Sequence, residues 1–321
     1  MPAQPSLFTF RGEGGPVPAL AQVTKLGHVF VLDRRTGEPL FPVEERPVPQ
    51  DGAVPDETLA PTQPFPTKPP SLHPTELTPD DAWAPIPGTA GACRERIADA
   101  RYEGIFTPPG TDTMIQYPGA GGGMNWGSAA IDPQRDLLVV NTLRMPNLIR
   151  LVPRAEFDER FPDGTPTLGF EPQAGTPYAV ERIGLLSPDG LPCTPPPWGT
   201  LVGVDVAAGE IRWEIPFGTA RRLVPAPIWW FAPEGMPSFG GPITTASGLT
   251  FIAAATDGYL RAYDTASGRE LWKGDLPFGG HATPMTYRLR EDGRQYVVIA
   301  AGGHWIFPQP VGDALVAFAL P

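Results

Sequence analysis

Lys25 in VTKLGHVF, Asp257 in AATDGYLRAY, His304 in AGGHWIF and Asn141 in LVVNTLRMP are the side chains best suited to hold and polarise a small molecule. A fixed ammonium such as Lys25 stabilises negative charge developing on oxygen. A carboxylate such as Asp257 keeps an ammonium charged and oriented. An imidazole such as His304 donates to a substrate oxygen or shuttles a proton, and Gly302 and Gly303 before it allow close approach to a flat ligand. Each residue also has a plainer reading on its own: a solvated lysine at a strand end, a turn aspartate before Gly258, a capping histidine and a turn-forming amide. His281 in GGHATPM is a weaker candidate, and His28 and His73 read as structural or exposed.

Other chemistries find no support. Cys93 and Cys193 lie 100 residues apart with no second ligand at zinc spacing. Two free thiols are the favoured reading, with a disulfide and its oxidising compartment left open. The run GAGGGM at 119–124 lacks the third glycine of a dinucleotide loop, and no Walker loop, nucleophile elbow or His-Glu-x-x-His motif occurs. A net charge of −11, from 24 Lys+Arg against 35 Asp+Glu, excludes a nucleic-acid footprint. The pairs Arg34-Arg35 and Arg221-Arg222 are isolated. No apolar run is long enough to span a bilayer, and MPAQPSLFTF lacks the charge and hydrophobicity of a secretion signal. Taken literally, such a chain stays in the cytoplasm.

The elements that position these residues must be short. Together, 44 Pro and 37 Gly occupy about a quarter of the 321 positions, a density that breaks long helices. Yet 41% of the chain is hydrophobic, with 16 Phe, 8 Trp and 7 Tyr, enough to build a core. An all-β fold rich in turns follows. A pattern of apolar-x-Asp-x-x-small-Gly-x-x-x-Trp recurs as GVDVAAGEIRW at 203–213 and AYDTASGRELW at 262–272. A third copy, VLDRRTGEPLF at 31–41, ends in Phe. The Asp bonds amides of the turn, the Gly takes a left-handed position, and the aromatic docks between layers.

A strand signal precedes each copy, which is the outline of a four-stranded antiparallel β-propeller blade. About four blades are expected: 17–45, then 125–142 closing at 203–213, then 240–277 and 279–321. Two Pro-rich excursions, 43–118 and 146–197, read as ordered surface loops within a single partial domain over 1–321. Four blades is the lower limit for a closed ring, so the chain reads as part of a larger propeller.

Longer stretches carry a resemblance to a known family. GHVFVLDRRTGEPLFPVEERPVPQ (27–50), PTQPFPTKPP (61–70), GLPCTPPPWG (190–199), GGPITTASGLTFIAAATDGYLRAYD (240–264) and GDALVAFALP (312–321) are similar to the C-terminal half of membrane-bound quinoprotein glucose, polyol and quinate dehydrogenases. These are eight-bladed propellers dependent on pyrroloquinoline quinone (PQQ), with tryptophan-docking motifs. The resemblance implies PQQ and Ca²⁺ or Mg²⁺ as cofactors, the metal ligands falling mainly in the earlier blades.

It also implies hydride transfer from a sugar or polyol, ubiquinone as acceptor, and a site on the periplasmic face of the inner membrane. Lys25 matches the lysine bonding the quinone oxygens, Asp257 an aspartate pairing with that lysine, His304 a histidine near cofactor and substrate, and Asn141 a cofactor-side asparagine. Trp213 and Trp272 match docking residues, and Trp198 is expected between blades. The family's general base, in a His-His-Asp-x-Trp-Asp segment, falls just before the match to residues 2–5, so the chain alone is expected to be nearly inactive. A non-catalytic PQQ-repeat scaffold, or a truncated gene product, is the alternative. Retention of Lys25, Asp257 and His304 together argues against the scaffold.

Overall fold

Alternating side chains build the first sheet of the computed structural model, which describes residues 2–319 apart from 13, 56, 85, 87, 225, 226 and 308. Strands β1 (Ser6–Gly12), β2 (Gly15–Val23) and β3 (Val29–Asp33) run antiparallel, pairing Phe8 with Ala19 and Ala21 with Val31. That register puts Phe8, Phe10, Ala21, Val23 and Val29 on one buried face. This blade starts at Ser6, earlier than the expected residue 17, because β1 pairs with the expected first strand.

Next come the hairpin β4 (Val43–Pro47) and β5 (Thr62–Pro66), helix α1 (Ala90–Asp99) and β6 (Met114–Gln116). Strands β7 (Ala130–Asp132) and β8 (Leu137–Leu143) open the second blade; β9 (Asn147–Pro153), α2 (Arg154–Arg160), β10 (Phe170–Glu171) and β11 (Tyr178–Gly184) intervene; and β12 (Gly199–Asp205) and β13 (Glu210–Pro216) close it. The third blade is β14 (Ile243–Thr244), β15 (Leu249–Ile252), β16 (Tyr259–Asp264) and β17 (Glu270–Asp275). The fourth is β18 (Met285–Arg288), β19 (Gln295–Ala301) and β20 (Ala314–Ala319). Blades two and three thus end at their repeat copies, and the fourth follows within 279–321.

The repeat behaves alike in its three copies. Asp33, Asp205 and Asp264 accept the amides of Arg35 (2.9 Å), Ala208 (2.8 Å) and Ser267 (2.9 Å), while Gly37, Gly209 and Gly268 donate back to the same aspartates' carbonyls. Each closing aromatic lies against the next unit. Phe41 sits over Gly209, Trp213 over Gly268 with Nε1 donating to the Thr265 carbonyl at 3.1 Å, and Trp272 meets Phe318 edge-on at 5.1 Å. A Cβ at Gly268 would stand 2.6 Å from the Trp213 ring, so glycine is required there for contact as well as for its φ of +69°.

Three apolar seams join the blades in series. Ala21 and Val29 meet Val140 and Val202; Val139 and Leu201 meet Ile252 and Ala254; Leu260 meets Ile299 and Ala301. Strand β8 is buried along its whole length because its two faces serve two seams: Leu138 and Val140 join the first and Val139 the second. The end sheets turn apolar side chains outward, with Leu7, Met285 and Leu315 exposed.

The excursions are not simply surface loops. Strand β9 of the second pairs with β6 from the first, giving the four-stranded sheet β6-β9-β11-β10 around Val152, Phe157, Phe170 and Ala179. A disulfide joins Cys93 on α1 to Cys193, both fully buried, which corrects the free-thiol reading. Sequence spacing could not show that these cysteines meet, because only the packing of α1 beside Ile115 and Leu185 brings them together. A bond closing so long a loop stabilises the fold by about 2–4 kcal/mol.

His73 is buried beside Gly27, its ring 4.5 Å from that of Tyr117, its Nδ1 bonded to the Pro74 carbonyl and its Nε2 without a partner among the described residues. Burial, assisted by the charge of Arg144, lowers its pKa to about 4. The unfolded chain therefore takes up a proton at about pH 6.5 that the folded chain refuses until about pH 4. Stability from this group is complete above pH 6.5 and declines by about 3 kcal/mol as pH falls to 4. Urea titrations at several pH values should show this decline, and His73→Phe should flatten it relative to the parent chain; an unchanged slope would contradict the assignment.

Candidate functional site

Lys25 occupies the turn between β2 and β3, held by the Thr24 amide bonding to the His28 carbonyl (3.0 Å) and by Gly27 at a φ of +88°. Its ammonium donates to the Ala120 carbonyl at 2.7 Å, and its own carbonyl accepts from the Gly123 amide at 2.7 Å. A Cβ on Gly122 would lie 2.5 Å from Lys25 Cγ, so the glycine run that fails as a dinucleotide loop serves here as a close-packed wall. Lys25 has no carboxylate partner among the described residues. Burial, and then the charge of Arg182 on β11, lower its pKa. The result is a cation without an ion-pair partner, beside a cleft of about 710 Å³ lined also by Pro2, Leu26, Phe30 and Gln63.

The expected pairing of Lys25 with Asp257 is not formed. Asp257 is fully buried and takes a bidentate bond from Arg261, whose Nη1 lies 3.0 Å from Oδ1 while Nη2 bonds Oδ2. It also accepts the Thr219 amide at 2.9 Å. The reason is local: Arg261 follows four residues later on β16 and reaches back to the turn that carries Asp257, satisfying the carboxylate before any distant lysine can.

His304 joins an aromatic group instead. Its ring lies 5.3 Å from Phe239, 5.8 Å from Phe307 and 5.9 Å from His281. His281 is buried, with Nδ1 3.3 Å from the Phe239 carbonyl and Nε2 2.6 Å from the Gln309 amide nitrogen. An amide nitrogen only donates, so Nε2 accepts and the ring proton sits on Nδ1. Burial lowers the His281 pKa, consistent with this neutral form; the charge of Asp257 acts in the opposite sense. Asn141 on β8 is buried and donates to Ser238 Oγ at 3.0 Å, anchoring the residue before Phe239.

Phe239 links the two halves of the site, since a Cβ on Gly121 would stand 3.1 Å from its ring. The structure thus connects Lys25, through 120–123 and Phe239, to His304 and Asn141, while Asp257 is tied to Arg261 and Thr219 instead. Phe239, Gln309 and Arg261 were not singled out in the sequence, because a buried aromatic, an amide and a strand arginine carry no motif of their own. Trp198 packs edge-on against Trp83, with ring centroids 5.5 Å apart.

The β-propeller domain model of PQQ-containing glucose/ethanol/alcohol dehydrogenases matches residues 1–297. The chain belongs to this PQQ dehydrogenase family. It is similar to the quinoprotein glucose dehydrogenase of Escherichia coli (strain K12), 43% identical over 329 aligned positions that take in 100% of this chain and 41% of the relative. A probable quinate dehydrogenase (quinone) of Xanthomonas campestris pv. juglandis is 41% identical, with 100% of this chain and 41% of the relative covered. The chain therefore spans about two fifths of the length of these relatives. The solved quinohemoprotein alcohol dehydrogenase of Comamonas testosteroni overlays with a TM-score of 0.56 at 22% identity, covering 99% of this chain and 38% of that one, which supports the propeller fold.

The residues around Lys25 and Phe239 have the chemistry a planar, oxygen-rich quinone needs: a cation lacking a carboxylate, and a flat aromatic group reached across close-packed glycines. They do not fit a metal. Among the described residues no three His, Cys, Asp or Glu side chains gather as a metal site. No helix among them is long and apolar enough to cross a membrane.

Proposed function

We propose that this chain supplies the Lys25 side of the cofactor site in a PQQ-dependent dehydrogenase that oxidises a sugar or polyol. The observation that carries the reading is the exposed Lys25 ammonium at the edge of the cleft, which has no carboxylate partner among the described residues. The cofactor, when bound, accepts the hydride. Lys25 then donates to its oxygens and stabilises the negative charge that develops there. His304 donates to the substrate oxygen, and Asn141 holds the cofactor-facing segment through Ser238. Asp257 is a positioning residue: with Arg261 it fixes the 219 and 257 turns.

A divalent cation whose ligands lie mainly in the earlier blades, ubiquinone as acceptor and a periplasmic location complete the proposal. The buried disulfide supports an oxidising compartment. A chimera tests the function: this chain replaces the segment it matches in the Escherichia coli glucose dehydrogenase. PQQ-dependent dye reduction by glucose, glycerol or quinate is expected. A folded chimera that reduces dye with none of them would overturn the proposal.

A further inference from the structure

The β4–β5 hairpin and residues 103–106 line a second cleft, of about 580 Å³, that also reaches His28. It shares His28 and Phe106 with the Lys25 cleft, and is lined further by Glu44, Arg46, Phe65 and Glu103. His28 is 4% exposed, its ring 5.4 Å from Phe65 and 6.3 Å from Phe30. Neither ring nitrogen has a hydrogen-bond partner among the described residues, and neither is fully enclosed, so the unpaired nitrogens remain open to a ligand. Burial, and then the charge of Arg46, lower its pKa, so the ring offers one donor and one acceptor.

The cleft is also rich in acceptors. Arg46 places both Nε (3.0 Å) and Nη2 (2.7 Å) on the same oxygen of Glu44, leaving Oε1 free. Glu103 receives Arg101 on Oε1 at 3.3 Å, leaving Oε2 open. Arg46 covers a face of Phe65 at 5.0 Å, and Phe106 meets Phe65 edge-on at 5.5 Å. Each carboxylate is already matched by an arginine, Glu44 by Arg46 and Glu103 by Arg101, so no spare cation is left for an anionic ligand, and an apolar ligand would leave the unpaired His28 ring and the second oxygen of each carboxylate without a partner. A compound with several hydroxyls and a C–H face satisfies all of them.

We propose that this cleft, which adjoins the Lys25 cleft at His28 and Phe106, is a second binding site, for a neutral polyhydroxy compound of sugar or polyol type. Saturation-transfer NMR on the protein without PQQ tests it, with glucose and glycerol as probes and quinate as the anionic comparison. Transfer to glucose and glycerol but not to quinate is expected. His28→Phe should weaken glucose binding about tenfold, the loss of one or two hydrogen bonds. Glu103→Gln, at an exposed position, should weaken it in the same direction with the fold intact. Absence of transfer to glucose, equal transfer to quinate, or unchanged binding in both variants would overturn the site. Because PQQ is left out, such a failure leaves the Lys25 reading as it stands.

Discussion

Replacing Arg261 by methionine is expected to lower the unfolding free energy by about 3–5 kcal/mol. The side chain is 3% exposed, and removing it leaves Asp257, with no exposed side-chain surface, as an uncompensated charge. Burial alone would lower the arginine pKa, but the hydrogen bonds and charge of Asp257 override that and raise it. The pair is thus held together by coupling that neither partner has alone. Arg261 also bonds Glu270 at 3.1 Å and lies 5.1 Å from the Tyr259 ring and 5.8 Å from the Phe217 ring, so the variant loses contacts to four side chains. Methionine fills part of the volume, and for that reason the cost is chiefly electrostatic. The double variant Asp257→Leu, Arg261→Met should recover most of the loss, since replacing both ions removes the unpaired charge. Denaturant titrations of the three proteins decide the matter; a single variant within about 1 kcal/mol of the parent would show that the pair does little.

Lys25→Met in the chimera should reduce kcat by about 10²–10³-fold, the usual consequence of removing one fixed group that stabilises developing charge on oxygen. Methionine preserves the length and most of the packing against Gly122, so the loss reports the ammonium. Lys25→Arg should restore only part of the activity, because a planar guanidinium cannot occupy the space between Ala120 and Gly122 as an ammonium does. A fall in apparent PQQ affinity should accompany the loss of kcat. If kcat stayed unchanged, the lysine would be a wall residue and nothing more.

Much of the propeller is legible in the sequence because its signal is local. Asp205, Gly209 and Trp213 sit within one turn and its flanking strands, and their contacts recur in the copy ending at Trp272. The β6-β9-β11-β10 sheet is not legible in this way. Its strands lie far apart in sequence, with β7 and β8 between β6 and β9, and no repeat announces the pairing. The disulfide is hidden for the same reason. At the site, Lys25 lines a cleft and His304 joins the aromatic group around Phe239, but the Lys25–Asp257 pairing expected from the family resemblance is not formed. A family match transfers residues and not their partners, and Arg261 is the nearer cation. His28 carried no signal beyond its own type, and its unpaired ring emerges only from the packing of Phe30 and Phe65 around it.

The central claim is that Lys25 faces the PQQ oxygens, and a titration of the purified chain with PQQ, followed by the absorbance of the quinone, tests it most directly. The account predicts saturable binding by the parent chain, weakened at least about tenfold in Lys25→Met, as expected for loss of one hydrogen bond to a charged group. Equal binding by the two proteins, or none by either, would contradict it.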